Sequence, residues 1–539
     1  LKKAIELQPD YAEAYNNLGN VYKEMEEYNQ AISVYEKAIE LNPEYYEAYN
    51  NLGVALGKNE QYKQAIETYN KAISIKPDYA EAYYNMGVTL QDQGKLEEAI
   101  ESYKKAISIK PDYDEAYFNI GVAFQDKGNL EESIQAYNST IEINPNYADA
   151  FYNKGNALKQ LGNLEEAIKA YNNALFINPN NAAVYCNMGI VLNQQGKLEE
   201  SIDAYNKALS IKPSFVKVLN NMGNTLAEQK KLEEALDAYD RALNIRPNYY
   251  EAYKNSLKLL KCYYPKKPKN HVLFVTNNKV KKNCYKLISS EEDCEIADIL
   301  INAFDNMAED RFFYRTPSSQ IFKYNSKDLN CNRHMDIFET KNIIPEFCFG
   351  CFKVQTEVNN FFDLIRLTKL FYNFKVLDDL IAKTMIELRP NIPGFYKGYI
   401  YCKNLKQATR VKKILDIQLK IKLKNKVISQ VKRGCSEFAL EYPEYANING
   451  NDNKIMDYPI KWRNEEIQFD QKNFIRQQND MPKSINGFCL EDLYIIQMWI
   501  DYGKGIKDKT CEQFENRPII FDDVYKIANT RKEKFENIF

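Results

Sequence analysis

Six residues in the second half of the chain have the types and spacing that hold a metal ion. Cys331 and His334 stand in Cys-Asn-Arg-His, and Cys348 and Cys351 stand in Cys-Phe-Gly-Cys. A two-residue gap lets both ligands of a pair turn onto one ion, and two such pairs close a tetrahedral zinc site. With Cys402 and Cys435 in place of the first pair, four thiolates would suit zinc or, as the lesser alternative, an iron–sulfur cluster. The competing reading is that these are reduced thiols buried as small hydrophobes. Catalysis has weaker support. The chain has two histidines, His271 and His334, and no HExxH, GxSxG or GxxxxGK[ST] stretch. Glu387 and Arg389, with Arg433, Cys435 and Glu437, could converge as a carboxylate–thiol site, although an ordinary ion pair is the preferred reading.

A second set of residues suits recognition. Asn17, Asn51, Asn85, Asn119, Asn153, Asn187 and Asn221 recur every 34 residues, with Asn255 in phase beyond them. An amide both donates and accepts, so a row of them can hold a peptide backbone without reading its side chains. The residue before each varies. Asn16 and Asn50 are polar, whereas Tyr84, Phe118 and Tyr152 would make an aromatic middle that supplies specificity. The competing role for the row is packing between units.

The elements that carry this row follow from the same period. Proline recurs at Pro9, Pro43, Pro77, Pro111, Pro145, Pro179, Pro213 and Pro247, always 34 residues apart. Gly19, Gly53, Gly87, Gly121, Gly155, Gly189 and Gly223 keep the step, as do the tyrosines from Tyr35 to Tyr239. Such a period marks a solenoid of stacked supersecondary units. In the third unit, Tyr83, Met86, Gly87 and Leu90 follow a helical spacing, predicting one helix over Ala80–Gln93. Gly94 ends it, Leu96–Ile109 forms a second helix, and Pro111 stops that one.

This pattern resembles the tetratricopeptide repeat family, with seven full units over residues 12–249 after a partial one. Its Pro-Asx-Tyr-x-Glu-Ala-Tyr wording is most similar to the arrays of O-linked N-acetylglucosamine transferases. The resemblance implies an all-α right-handed superhelical solenoid whose concave wall carries the first helix of each pair. In those transferases an asparagine ladder grips peptide backbone. The resemblance does not extend to their catalytic lobes. Leu257 stands where an eighth glycine would fall, so Tyr253–Lys261 reads as a terminal solvating helix.

The solenoid is expected over residues 1–263, a linker over 264–290, an α+β Cys-rich domain over 291–440 and a mixed, helical extension over 441–539. Within the linker His271–Thr276 reads as a strand. Further on, strand Phe347–Val358, helix Asn360–Phe374, strands Met385–Leu388 and Tyr396–Cys402, helix Leu405–Leu423 and strand Val427–Lys432 follow in turn. That order is the βαββαβ of a ferredoxin-like sandwich. It would gather Cys348, Cys351, Cys402 and Cys435 at one sheet end. Lys397–Tyr401 (KGYIY) resembles part of an RNA-recognition motif. On that reading Tyr399 and Tyr401 would stack on bases, and Lys403, Lys406, Arg410, Lys412 and Lys413 would meet phosphates.

Charge is unevenly shared. Residues 1–250 hold 24 Lys and Arg against 36 Asp and Glu, whereas residues 251–539 hold 48 against 38. The acidic half favours basic segments as ligands. No stretch approaches the ~20 apolar residues of a membrane span. The eleven cysteines suit a reducing compartment, so the cytoplasm is favoured, although the chain opens inside a helical pattern with its N-terminus missing. The leading expectation is a scaffold that grips a protein or peptide in the groove and carries an α+β effector domain. The alternatives are a transferase or a metal- or thiol-dependent enzyme that recruits substrate through its repeats, and an RNA-binding C-terminal domain.

Overall fold

The computed structural model describes residues 1–267, 269–307, 319–323, 331–345, 348, 351–374, 380–389, 392, 394–423, 427, 429–433, 442, 458–473, 484 and 487–535. The chain divides into two compact units, residues 1–213 and 214–539.

The first unit opens with α1 (Lys2–Leu7), followed by six helix pairs. These are α2 (Ala12–Glu24) with α3 (Tyr28–Leu41), α4 (Tyr46–Lys58) with α5 (Tyr62–Ile75), and α6 (Ala80–Asp92) with α7 (Leu96–Ile109). Then come α8 (Asp114–Asp126) with α9 (Leu130–Ile143), α10 (Ala148–Gln160) with α11 (Leu164–Ile177), and α12 (Ala182–Gln194) with α13 (Leu198–Ile211). Each pair is locked by one glycine and one tyrosine. A Cβ added to Gly87 would lie 2.6 Å from Cε1 of Tyr103, and one on Gly121 would lie 2.5 Å from Cε1 of Tyr137. The absent side chain is therefore the seat of a fully buried ring, which explains why the two residues recur together. The first helix of each pair packs on the first helix of the next, from α2 to α12. Each second helix from α3 to α11 packs on the first helix that follows.

The second unit begins with a seventh pair, α14 (Val216–Glu228) and α15 (Leu232–Ile245), then α16 (Tyr250–Leu260), α17 (Val272–Cys284) and α18 (Asp293–Met307). The rest alternates: β1 (Gln320–Lys323), α19 (Cys331–Lys341), β2 (Phe352–Val358), α20 (Phe361–Asn373), β3 (Ala382–Ile386), β4 (Tyr396–Cys402), α21 (Leu405–Lys422) and β5 (Ser429–Arg433). Helices α22 (Ile460–Asn473), α23 (Leu490–Gly505) and α24 (Asp522–Phe535) follow. The strands form one antiparallel sheet in the order β1-β3-β4-β2-β5. Without β1, this is the ferredoxin-like arrangement that the element order predicts. Helix α20 lies on the face carrying Gly398, where a Cβ would meet Leu367 Cδ2 at 2.6 Å, and the Thr368 and Thr384 hydroxyls bond at 2.8 Å. Helix α21 turns Ala408, Val411, Leu415 and Leu419 inward against β2, β4 and β5.

Two expectations are corrected. His271–Thr276 is not a strand: His271 caps α17, its Nδ1 accepting from the Leu273 N–H at 3.2 Å. A short apolar run has no period of its own, and only the later Val280 and Cys284 complete the buried helical face. The terminal helix is not a solvated end either. Tyr253 and Leu257 are fully buried, because α23 packs over α16 and Tyr494 meets Tyr253 hydroxyl to hydroxyl at 2.9 Å.

Candidate functional site

In the first unit the asparagine row is built one unit at a time. Asn51 donates from Nδ2 to Oδ1 of Asn16, and Asn85 to Oδ1 of Asn50, both at 3.0 Å. Asn119 donates to the Tyr84 hydroxyl and Asn187 to the Tyr152 hydroxyl, again at 3.0 Å. The acceptor is thus the residue just before the asparagine of the preceding unit. Asn187 also donates to Oδ1 of Asn156 at 2.8 Å. Phe118 has no acceptor, and Asn153 beyond it is half-buried with no side-chain hydrogen bond among the described residues. Asn17, which follows only the partial unit, is exposed. In the second unit Asn255 donates to Asn220 and Asn224 at 3.0 and 2.9 Å, and Asn221 is half-buried.

The aromatic residues of the middle units are engaged with one another. Tyr84 packs against Tyr113 at 4.9 Å between ring centroids, and Phe118 stacks on Tyr147 at 5.0 Å. Tyr152 lies 6.2 Å from Tyr171. Burial pushes the Tyr84 hydroxyl above the ordinary phenol range, so it is neutral and can accept from Asn119. Each bonded amide is oriented by a side chain of the preceding repeat and keeps hydrogen-bonding capacity, because a side-chain amide offers two donors and two acceptor lone pairs.

At the sheet end, the register sets Phe352 opposite both Cys402 and Arg433. Cys351 and Cys402 are buried, and burial pushes the Cys402 thiol up to about 12. Cys348 packs with Ile344, Phe338 and Trp462 in an apolar cluster. Cys331 and His334 lie on the first turns of α19, while Cys435 and Glu437 fall outside the described residues. Among the described residues no group of three His, Cys, Asp or Glu side chains could hold a metal ion.

Glu387 is a buried ion-pair centre. Arg389 reaches it at 2.8 Å and Lys397 at 3.0 Å. Burial would raise its carboxyl, but Arg389 and Lys397 overcome that and hold it at about 2. Tyr399 and Tyr401 occupy the sheet face away from α20, with Lys353 and Lys383 over the Tyr399 ring at 5.1 and 5.5 Å. Tyr399 is only 4% exposed, so its ring is not open to a base. Lys406, Arg410 and Lys413 lie on the exposed side of α21, beyond the helical layer on the opposite side of the sheet. A strand that met both sets would have to cross the domain, which removes the geometric support for shared RNA contacts.

One arrangement was missed in the sequence. Glu233, Asp237 and Asp240 form a stripe on α15 that holds the chain leaving α16 through Tyr263, Lys266, Lys267, Lys269 and His271. Glu233 accepts from the Lys269 ammonium at 2.6 Å, the Tyr263 hydroxyl at 2.9 Å and the backbone N–H groups of Lys266 and Lys267 at 2.8 and 3.2 Å. Lys269 also reaches Asp237, and Asp240 accepts from the His271 N–H at 2.9 Å. Partial burial pushes the Glu233 carboxyl up, but these bonds, led by that from Lys269, more than reverse it and hold it at about 2. Deeper in the unit Lys261 meets Asp492 at 2.8 Å, and the Tyr372 hydroxyl donates to the same carboxylate at 3.0 Å. The signal was present as carboxylates at i, i+4 and i+7 beside a basic stretch, but nothing local says that such groups meet.

No helix among the described residues is long and apolar enough to cross a membrane. No curated protein matches the chain. Family models described as TPR repeat match residues 58–94, 89–128, 123–162, 155–196 and 191–230. Tetratricopeptide repeat models match 12–45, 34–67 and 216–249. Similar solved structures include YrrB, described as a TPR protein with an unusual peptide-binding site, at 25% identity over 35% of this chain and 98% of that one, with a TM-score of 0.32. MamA from Desulfovibrio magneticus RS-1 is 20% identical over 32% of this chain and 96% of its own, with a TM-score of 0.31. The C-terminal part of a repeat protein from Cytophaga hutchinsonii is 19% identical over 45% of this chain and 99% of its own, with a TM-score of 0.40. Residues 12–249 are therefore an array of seven tetratricopeptide units, and the chain is a tetratricopeptide repeat protein.

Proposed function

We propose that this interaction scaffold holds an extended peptide along the first helices of its repeats, with the asparagine row as the backbone grip. The observation that carries the reading is Asn153: a half-buried amide with its donors and acceptor uncommitted among the described residues, between neighbours whose amides are anchored. Its amide atoms are not among the buried polar atoms that lack a partner, so they are open to a ligand, and a peptide group supplies both a donor and an acceptor for them. The first helices pack on one another from unit to unit, which supports a continuous wall on which such a backbone can lie. The acidic balance of this half of the chain favours a basic peptide. The α+β module is then carried as an effector attached to the last repeat.

An array of basic, unstructured peptides, followed by titration of the best binder, tests this. Asn153→Ala is expected to weaken capture about ten-fold, the loss of one well-placed hydrogen-bonding group (about 1.4 kcal/mol), while leaving the melting temperature unchanged. Asn119→Ala should weaken capture and also destabilise the array by about 1 kcal/mol, since it releases the Tyr84 hydroxyl. Unchanged capture by Asn153→Ala would overturn the grip.

A further inference from the structure

We propose that the outer face of α21 is a docking surface for an acidic amphipathic helix of a partner protein. The inner face is spent on the sheet through Ala408, Val411, Leu415 and Leu419. At 100° per residue, Lys406, Arg410, Lys413, Ile417, Lys420 and Ile421 fall on the opposite side in one stripe, about 22 Å long at 1.5 Å per residue. Ile417 is 58% exposed and Ile421 67%. None of the four cations has a side-chain partner among the described residues, whereas Lys412, beside the buried face, pairs with Asp416. The stripe therefore offers unneutralised positive charge beside two aliphatic side chains one helical turn apart, the spacing at which a docked helix presents its own anchors.

A helix fits this surface better than a bilayer. The exposed apolar part of the stripe is two isoleucines, and the rest of the apolar surface of α21 is spent on the sheet. A helix lies in a bilayer interface by a broad apolar face, which this stripe lacks, whereas a partner helix needs only two aliphatic anchors set between acidic residues. Single-stranded nucleic acid is disfavoured because the stripe offers no exposed aromatic side chain for stacking. The partner helix would carry Glu or Asp opposite Lys406, Arg410, Lys413 and Lys420, with Leu or Ile meeting Ile417 and Ile421. This surface is separate from the asparagine row, so Asn153→Ala should leave it unaffected.

The test is a fluorescence-anisotropy titration of the full chain. The probe is a fluorescein-labelled helical peptide of about 18 residues, with Leu at i and i+4 flanked by Glu. Saturable binding that falls with salt is expected, weakened about ten-fold or more by Arg410→Glu with Lys413→Glu, and comparably by Ile417→Asp. These side chains lie on the exposed face, so the variants should keep the wild-type circular dichroism and melting temperature. Absence of saturable binding, a change below about two-fold in both variants, or equal binding of the Glu→Gln peptide overturns the proposal. It is also overturned if poly-uridine, phosphatidylserine vesicles or self-association in sedimentation, in place of the peptide, proves to depend on the same residues.

Discussion

Glu233→Gln removes a charge and almost no volume, so it isolates what the carboxylate does for the stretch that follows α16. Its depression from 4.5 to about 2 corresponds to roughly 3 kcal/mol at about 1.4 kcal/mol per unit. That is an upper bound, because Glu233 is 19% exposed and the neighbouring Asp237 carboxylate 48%. Solvent screening brings the expectation to about 1–2 kcal/mol. The folded-state pKa lies below the unfolded one, so the contribution is fully present above about pH 4.5 and is lost as pH falls through about 2. Residue-resolved hydrogen exchange is the assay, because the Lys266 and Lys267 amides donate directly to Glu233. At neutral pH their protection should fall about ten-fold in the variant, as should that of the His271 amide held by Asp240 one step along. After correction for intrinsic rates, the difference between variant and wild type should shrink progressively between pH 5 and pH 2. Equal protection in both proteins at neutral pH, or a difference that does not respond to pH, would refute the carboxylate's role as the clamp.

Two further expectations concern the repeats. Gly121→Ala should destabilise the array by about 1–3 kcal/mol in urea unfolding, because the new methyl would stand 2.5 Å from the ring of Tyr137 and neither helix has room to yield. Glu60→Gly should stabilise by roughly 0.5–1 kcal/mol. Glu60 holds φ at 61°, at the position where the third to sixth units place Gly94, Gly128, Gly162 and Gly196 at 75–82°; a lower urea midpoint would reject this account.

What could be read in advance follows from how local each constraint is. The repeats are legible because every unit solves the same contact: one tyrosine lies on one glycine, and a proline closes the pair, so the solution is written seven times. The order of β2, α20, β3, β4, α21 and β5 is legible for a related reason, since alternation and helical spacing report burial along each element. The role of Tyr84, Phe118 and Tyr152 was harder to see. Their partners are asparagines 35 residues on, and the decisive distinction, whether the ring carries an oxygen, matters only once the units are stacked. Cys348 illustrates the converse. Its CxxC spacing is a property of the chain, but its apolar neighbours Phe338 and Trp462 come from separate helices that no local pattern connects.

The clamp on Glu233 makes the last repeat part of the second unit rather than a neighbour of it. The α15 stripe binds the chain that leaves α16, Lys261 reaches back to Asp492 of α23, and Tyr253 of α16 meets Tyr494 of the same helix. These contacts join segments more than 230 residues apart in two of the three cases, and the two interactions nearest α23 are shielded from solvent. Buried charge pairs cost desolvation, and breaking one leaves the other charge stranded. The seventh repeat, α16 and the sheet domain should therefore unfold together rather than fray as separate repeats do, because loosening α16 uncovers Asp492 and the Tyr372 hydroxyl with it. A repeat array ordinarily transmits stability only to its nearest neighbours; here its last member is coupled to a folded domain through charge as well as apolar packing.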